Sequence, residues 1–74
     1  MEVKIGHVYK HFKGNLYKVL MIANDSSNEK ELVIYEALYG SHKIWARPLE
    51  EFISKTDKIK YPNCQQESRF MLID

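Results

Sequence analysis

Trp45 and Arg47 are the residues of this sequence best equipped to meet a ligand. They stand two apart, so in an extended segment both side chains leave the same face. An exposed indole beside a planar guanidinium can stack a base, hold an aromatic or proline ring, or grip a carboxylate or phosphate with paired N–H bonds. Tyr35, Tyr39 and His11 are candidates to join that face. A second arrangement of the same residues needs no ligand: Arg47 pairs with Glu36, Glu50 or Glu51, and Trp45 fills the core. Tyr9, Tyr17, Tyr35 and Tyr39 are mostly expected in the core with their hydroxyls at the surface. Tyr35 should be the most buried of them, because Val33 and Ala37 flank it at the strand period.

The remaining polar residues offer weaker chemistry. Lys10, His11 and Lys13 bracket Phe12, and cations interleaved with an aromatic ring can follow a phosphate backbone. With Lys18 and Arg47 they define an alternative role in nucleic-acid binding, although a net charge of only +1 supplies no general attraction to a polyanion. His7 and His11 have the helical spacing of metal ligands. On a strand the same spacing puts them roughly 13 Å apart, too far to share an ion, so no metal site is expected. His42 is expected in solvent, in a turn. Cys64 is the sole cysteine, which excludes an intrachain disulfide and a multi-cysteine zinc site and fits a reducing, cytoplasmic setting. No phosphate-binding loop or nucleophile elbow occurs, and Glu50-Glu51 is a plain acidic pair. A catalytic reading therefore finds little, an enzyme or an accessory domain to one stays as a further alternative, and no cofactor is expected.

These residues need strands to position them. Gly6 to Phe12 mixes polar and aromatic residues in the manner of a short strand, and Lys13-Gly14-Asn15 is a turn. Leu16 to Ala23 is the longest strand-like run. Its exposed Lys18 implies that Tyr17, Val19, Met21 and Ala23 face inward, with Leu20 and Ile22 on the opposite side. Asn24 to Lys30 has no apolar residue and reads as a hairpin loop. Glu31 to Tyr39 follows, with Val33, Tyr35, Ala37 and Tyr39 on one face. Gly40 to Lys43 turns the chain into the strand Ile44 to Arg47.

Pro48 holds Arg47 extended and suits the first turn of a helix reaching to Ser54, in which Leu49, Phe52 and Ile53 share a face. Lys55 to Lys60 is expected in solvent, Tyr61-Pro62-Asn63 as a turn, and Ser68 to Ile73 as a closing strand. The sum is one mainly β domain over residues 1–74, a small partly open SH3-like barrel with one short helix after Pro48. An α+β roll is the competing architecture, should the helix run on through Lys60.

Three blocks carry a resemblance. Tyr9-Lys10-His11-Phe12-Lys13-Gly14-Asn15-Leu16-Tyr17-Lys18-Val19-Leu20 follows the pattern Y-x-H-F-K-G-x-x-Y-x-V-L. Leu32 to Gly40 follows L-V-V-Y-x-x-L-Y-G, and Trp45 to Phe52 follows W-V-R-P-L-x-x-F, with a weaker echo at Arg69-Phe70. Together they resemble the DUF1653 family, small bacterial domains of unknown function. The resemblance implies an SH3-like barrel, a bacterial cytoplasmic setting and no established activity. The hairpin Asn24 to Asn28 departs from the family's common H-S-E-T, so any role of that loop's histidine is missing here. Ala46 stands where valine is usual.

Bulk properties bound the rest. In 74 residues, 45% hydrophobic and 12% aromatic, one packed core is affordable and its net stability is small. The longest apolar run, Val19 to Ala23, is far short of a membrane span, and the start lacks the apolar stretch of a signal peptide. Residues 1–23 carry a balance of +3 (Lys4, Lys10, Lys13 and Lys18 against Glu2), and residues 24–36 a balance of −3 (Asp25, Glu29, Glu31 and Glu36 against Lys30). Adjacent strands of opposite sign favour each other. The function expected is a non-catalytic binding module for a peptide, nucleotide or small anion, and a free strand edge could also pair with a second copy of the chain.

Overall fold

The computed structural model describes residues 3–74; Glu2, counted in the charge balance above, and Met1 lie outside them. Five strands form one antiparallel sheet: β1 (Val8–His11), β2 (Leu16–Asn24), β3 (Glu31–Ala37), β4 (Ile44–Pro48) and β5 (Phe70–Leu72). Their spatial order is β4-β3-β2-β1-β5. Hairpins build the first four in sequence, and β5 returns along the far side of β1, with His11 opposite Phe70. β4 and β5 remain unpaired edges, so the mainly β fold is a curved, open sheet, not a closed one. The Gly14 turn between β1 and β2 has φ +106, which glycine adopts without a steric penalty.

Pairing fixes what faces inward. Tyr9 lies opposite Tyr17, Tyr17 opposite Ala37, Val19 opposite Tyr35, and Tyr35 opposite Trp45. Paired residues share a face, so one concave surface collects Tyr9, Tyr17, Val19, Tyr35, Val33 and Ala37. Tyr9, Val19, Val33, Tyr35 and Ala37 are buried there, together with Phe52 and Phe70.

The long strand β2 corrects the inward set expected from its alternation. Val19 pairs with Tyr35 but Met21 pairs with Ile34, so Leu20 is an extra residue, a β-bulge. One inserted residue moves everything after it to the other face. Met21 is accordingly 52% exposed on the outer surface, while Ile22 packs against the core. Met21→Lys should leave stability unchanged within about 0.5 kcal/mol. Ile22→Lys should cost about 1–3 kcal/mol in urea unfolding. Equal costs would contradict the bulge.

The helix is shorter than the pattern suggested. Pro48 is the last residue of β4 and precedes the single helical turn α1 (Leu49–Phe52) at φ −53, ψ 137; it is not within the helix. Ile53 already leaves helical geometry. Phe52 is 1% exposed, and Leu49 and Ile53 pack on the same core, so the inward helical face is as expected. Residues 55–60 do not extend the helix, which removes the α+β roll. They are not wholly solvated either: Thr56 is buried, with its amide donating to the Glu67 carbonyl at 2.7 Å. Tyr39 falls beyond the end of β3 and is 44% exposed, not a continuation of the buried row. No helix among the described residues is long and apolar enough to cross a membrane.

Candidate functional site

The core is built around aromatic rings, and their arrangement decides what is left for a ligand. α1 drops Phe52 against Phe70 of β5, with ring centroids 4.1 Å apart and planes 7° from parallel. Tyr9 and Tyr35 meet Phe52 at 5.3 and 5.6 Å. These four rings occupy the centre. Trp45, on the edge strand β4, is left at the rim and is 48% exposed, so the arrangement in which it fills the core does not occur. Its ring faces Lys43 Nζ at 6.0 Å.

Arg47 is half-buried one step further along β4. Its Nε donates to the Tyr35 hydroxyl at 3.2 Å and its Nη1 to Glu51 Oε1 at 3.3 Å. The guanidinium carbon stands 5.9 Å from the centre of the Phe70 ring. Arg47 is therefore both tied to its own chain, through Glu51 of the expected three carboxylates, and presented to a cleft. Glu36 instead meets His42 at 3.2 Å, and Glu50 meets Lys30 at 4.0 Å.

The cleft has a volume of about 220 Å³ and is lined by Tyr17, Tyr35, Tyr39, Trp45 and Arg47. It brings four of the five sequence candidates together. Tyr17, half-buried, joins them by a hydroxyl–hydroxyl bond to Tyr39 of 2.8 Å. Burial, then the bond to Tyr39, pushes the Tyr17 phenol up to about 12.

His11, the fifth candidate, opens on an adjoining cavity of about 370 Å³ that shares Arg47 with the cleft. Its ring packs on Phe70 and Phe12, with centroids 4.9 and 4.4 Å away. The Lys13 amide donates to His11 Nδ1 at 3.1 Å, which makes Nδ1 an acceptor and leaves the proton on Nε2. Burial first, then the positive charges of Arg47, Arg69 and Lys13, lower its pKa from 6.5 to about 4.

This shift carries a stability prediction. The unfolded chain binds a proton on His11 below about pH 6.5, whereas the folded chain takes it up only near pH 4. Stability from this group is complete above pH 6.5 and is lost as pH falls toward 4. After allowance for solvent screening of a partly exposed ring, the loss should be about 1 kcal/mol. His11→Gln should flatten that part of the pH profile in urea unfolding. An imidazole titrating near 6.5 by NMR would contradict it.

The alternative cationic set is not brought together. Lys18 pairs with Glu36 across the sheet and, like Lys10, projects from the face opposite Arg47. Lys10 and Lys13 instead border a shallow groove of about 600 Å³ beside Phe12 and Tyr61, whose rings lie 4.8 Å apart. Lys60 joins them there. Arg69, Thr56 and Lys60 were not legible as site residues from the pattern. The only hint was that Arg69 is the second of two arginines, beside the weak motif echo at Phe70. Among the described residues no cluster of three or more metal-ligating side chains occurs.

An open five-stranded sheet with an aromatic and arginine-lined cleft on its concave face defines a small antiparallel β domain. The family model described as a protein of unknown function, DUF1653, matches residues 7–72, and the chain belongs to that family. The fold is similar to the crystal structure of a DUF1653 protein from Bordetella bronchiseptica. That similarity has a TM-score of 0.80 at 24% identity and covers 97% of this chain and 88% of the other. A comparison with curated proteins finds no match.

Proposed function

We propose that this domain is a non-catalytic binding module whose Trp45–Arg47 face holds a peptide, nucleotide or small anion. The observation that carries the reading is the half-exposed Trp45 on the wall of a cleft that also holds Arg47 and three tyrosines. A small domain gains about 1.5–3 kcal/mol by burying a large apolar side chain. Here the largest of them is spent at the rim, beside N–H and O–H donors. Such a surface gives a flat ligand a stacking wall and an anionic or carbonyl group a partner. The setting proposed is the bacterial cytoplasm, where the lone Cys64 stays reduced.

Trp45 is the sole tryptophan, so its fluorescence reports the cleft directly. Titration with short peptides, nucleotides and small anions should shift its emission for one class. The reading fails if none of them perturbs Trp45, or if Arg47→Ala leaves every response intact.

A second reading is favoured by the Phe12–Tyr61 pair with Lys10, Lys13 and Lys60 around it. Those residues suit a single strand of nucleic acid with bases over the rings. Oligonucleotide affinity should then fall steeply with salt, by about 0.7 log units per phosphate contact for each tenfold of salt. A flat salt profile removes this reading.

A further inference from the structure

We propose that the cavity between the β1–β2 turn and residues 54–61 is an oxyanion site of the phosphate class. It deepens the binding-module reading by giving the anion a place of its own, and it rests on that reading only where one ligand is asked to reach both cavities.

Charge is the first reason. Lys13, Arg47, Lys60 and Arg69 line the cavity, where Asp57 is the lining carboxylate; Glu51, outside the lining, pairs with Arg47 alone among the described residues. Asp57 is already engaged, because its Oδ1 accepts from the amides of Ile59 and Lys60 at 3.0 and 3.1 Å. Arg69 donates through Nε to Ser54 Oγ at 3.1 Å and has no carboxylate partner among the described residues. The ammonium groups of Lys13 and Lys60 lie 5.7 and 5.5 Å from the centre of the Tyr61 ring, which is part of the same wall. Like charges held together are unfavourable until an anion enters between them.

The second reason is independent of charge. Thr56, also in the wall, is 6% exposed, and its Oγ1 is buried with no hydrogen-bond partner among the described residues. A buried unpaired hydroxyl costs about 1–3 kcal/mol and is uncommon in folded proteins. Rotation of the Thr56 side chain toward the cavity would let a ligand oxygen accept its proton.

The third is donor geometry. His11 keeps its proton on Nε2 and stays neutral near pH 7, so it can donate without adding charge. Two guanidinium groups, two ammonium groups, a hydroxyl and an imidazole N–H suit the several acceptors of a tetrahedral oxyanion better than the two of a carboxylate. The volume of about 370 Å³ leaves room for a group attached to that oxyanion. Arg47, common to both cavities, is where a phosphate on one side and a ring against Trp45 on the other would meet.

The test uses the whole chain at low ionic strength. Inorganic phosphate, followed by two-dimensional NMR, should move the amides of His11, Thr56 and Arg69 and raise the imidazole pKa of His11. Lys13→Gln with Lys60→Gln, both at the surface, should weaken phosphate by at least about tenfold without altering the fold. Lys18→Gln, on the opposite face, should change it by less than about twofold.

Phosphate that fails to move these amides at millimolar concentration, or that binds the double variant unchanged, overturns the site. The binding-module reading then stands or falls separately on the Trp45 titration. A nucleoside monophosphate that binds at least about tenfold more tightly than phosphate, with the gain lost in Trp45→Ala, makes a nucleotide the source. Equal affinity makes it free phosphate.

Discussion

Phe52→Ala should unfold the domain, or come close to it. The ring is 1% exposed, lies stacked on Phe70, and touches Tyr9 and Tyr35 edge-on or tilted. Removing a buried phenylalanine costs about 3–5 kcal/mol when the cavity cannot collapse. The total stability available to a chain of this length is about 4–11 kcal/mol, and small domains fall at the low end. The melting temperature, followed by circular dichroism, should drop by about 15 °C or more. Phe52→Leu keeps most of the volume and should cost about 1–2 kcal/mol. A Phe52→Ala variant within about 1 kcal/mol of the parent would mean that α1 does not close the core.

Arg47 should show the largest functional effect. Arg47→Ala removes the donor to Tyr35, leaving a nearly buried hydroxyl without its partner, and frees Glu51. The stability cost should be about 1–3 kcal/mol. Most of it should come from Tyr35 and the packing on Phe70, because the Glu51 side of the ion pair is more than half exposed. Glu51→Gln should therefore cost less than about 1 kcal/mol.

Arg47→Lys separates charge from geometry. A lysine keeps the positive charge but cannot serve Tyr35, Glu51 and a ligand from one planar fork. Ligand response at Trp45 should weaken by about tenfold or more in Arg47→Lys as well as in Arg47→Ala. Full retention in the lysine variant would reduce Arg47 to a source of potential, and the cleft would lose its specific donor.

What could be read in the chain beforehand follows the range of the interactions involved. The hairpin at residues 25–30 is written in a run with no apolar residue, and β3 in strict alternation through Val33, Tyr35 and Ala37. The inward face of α1 follows from the spacing of Leu49, Phe52 and Ile53. That Trp45, Arg47 and Tyr35 share a face was also legible, because it needs only the period of two strands and one hairpin register; Tyr39, beyond β3, reaches the cleft from the turn. Alternation in β2 misled after Val19. A bulge leaves no mark in a run where every residue is apolar enough for either face, so Met21 and Ile22 could not be told apart.

Composition and local pattern by themselves determined a mainly β chain, its hairpins, a short helix after Pro48 with its inward face, and the residues able to share a face with Trp45. Only the tertiary structure decided which aromatic residue won the core. Phe52 and Phe70 are 18 positions apart in a chain that must curl before their rings can stack, and once stacked they leave Trp45 at the rim. The same closure carried Arg69 and Thr56 to the side of His11 and Lys13, from the opposite end of the sequence. Local periodicity fixes the direction of a side chain, whereas its neighbours across the sheet are fixed by long-range pairing, and both the aromatic cleft and the cationic cavity are made of such neighbours.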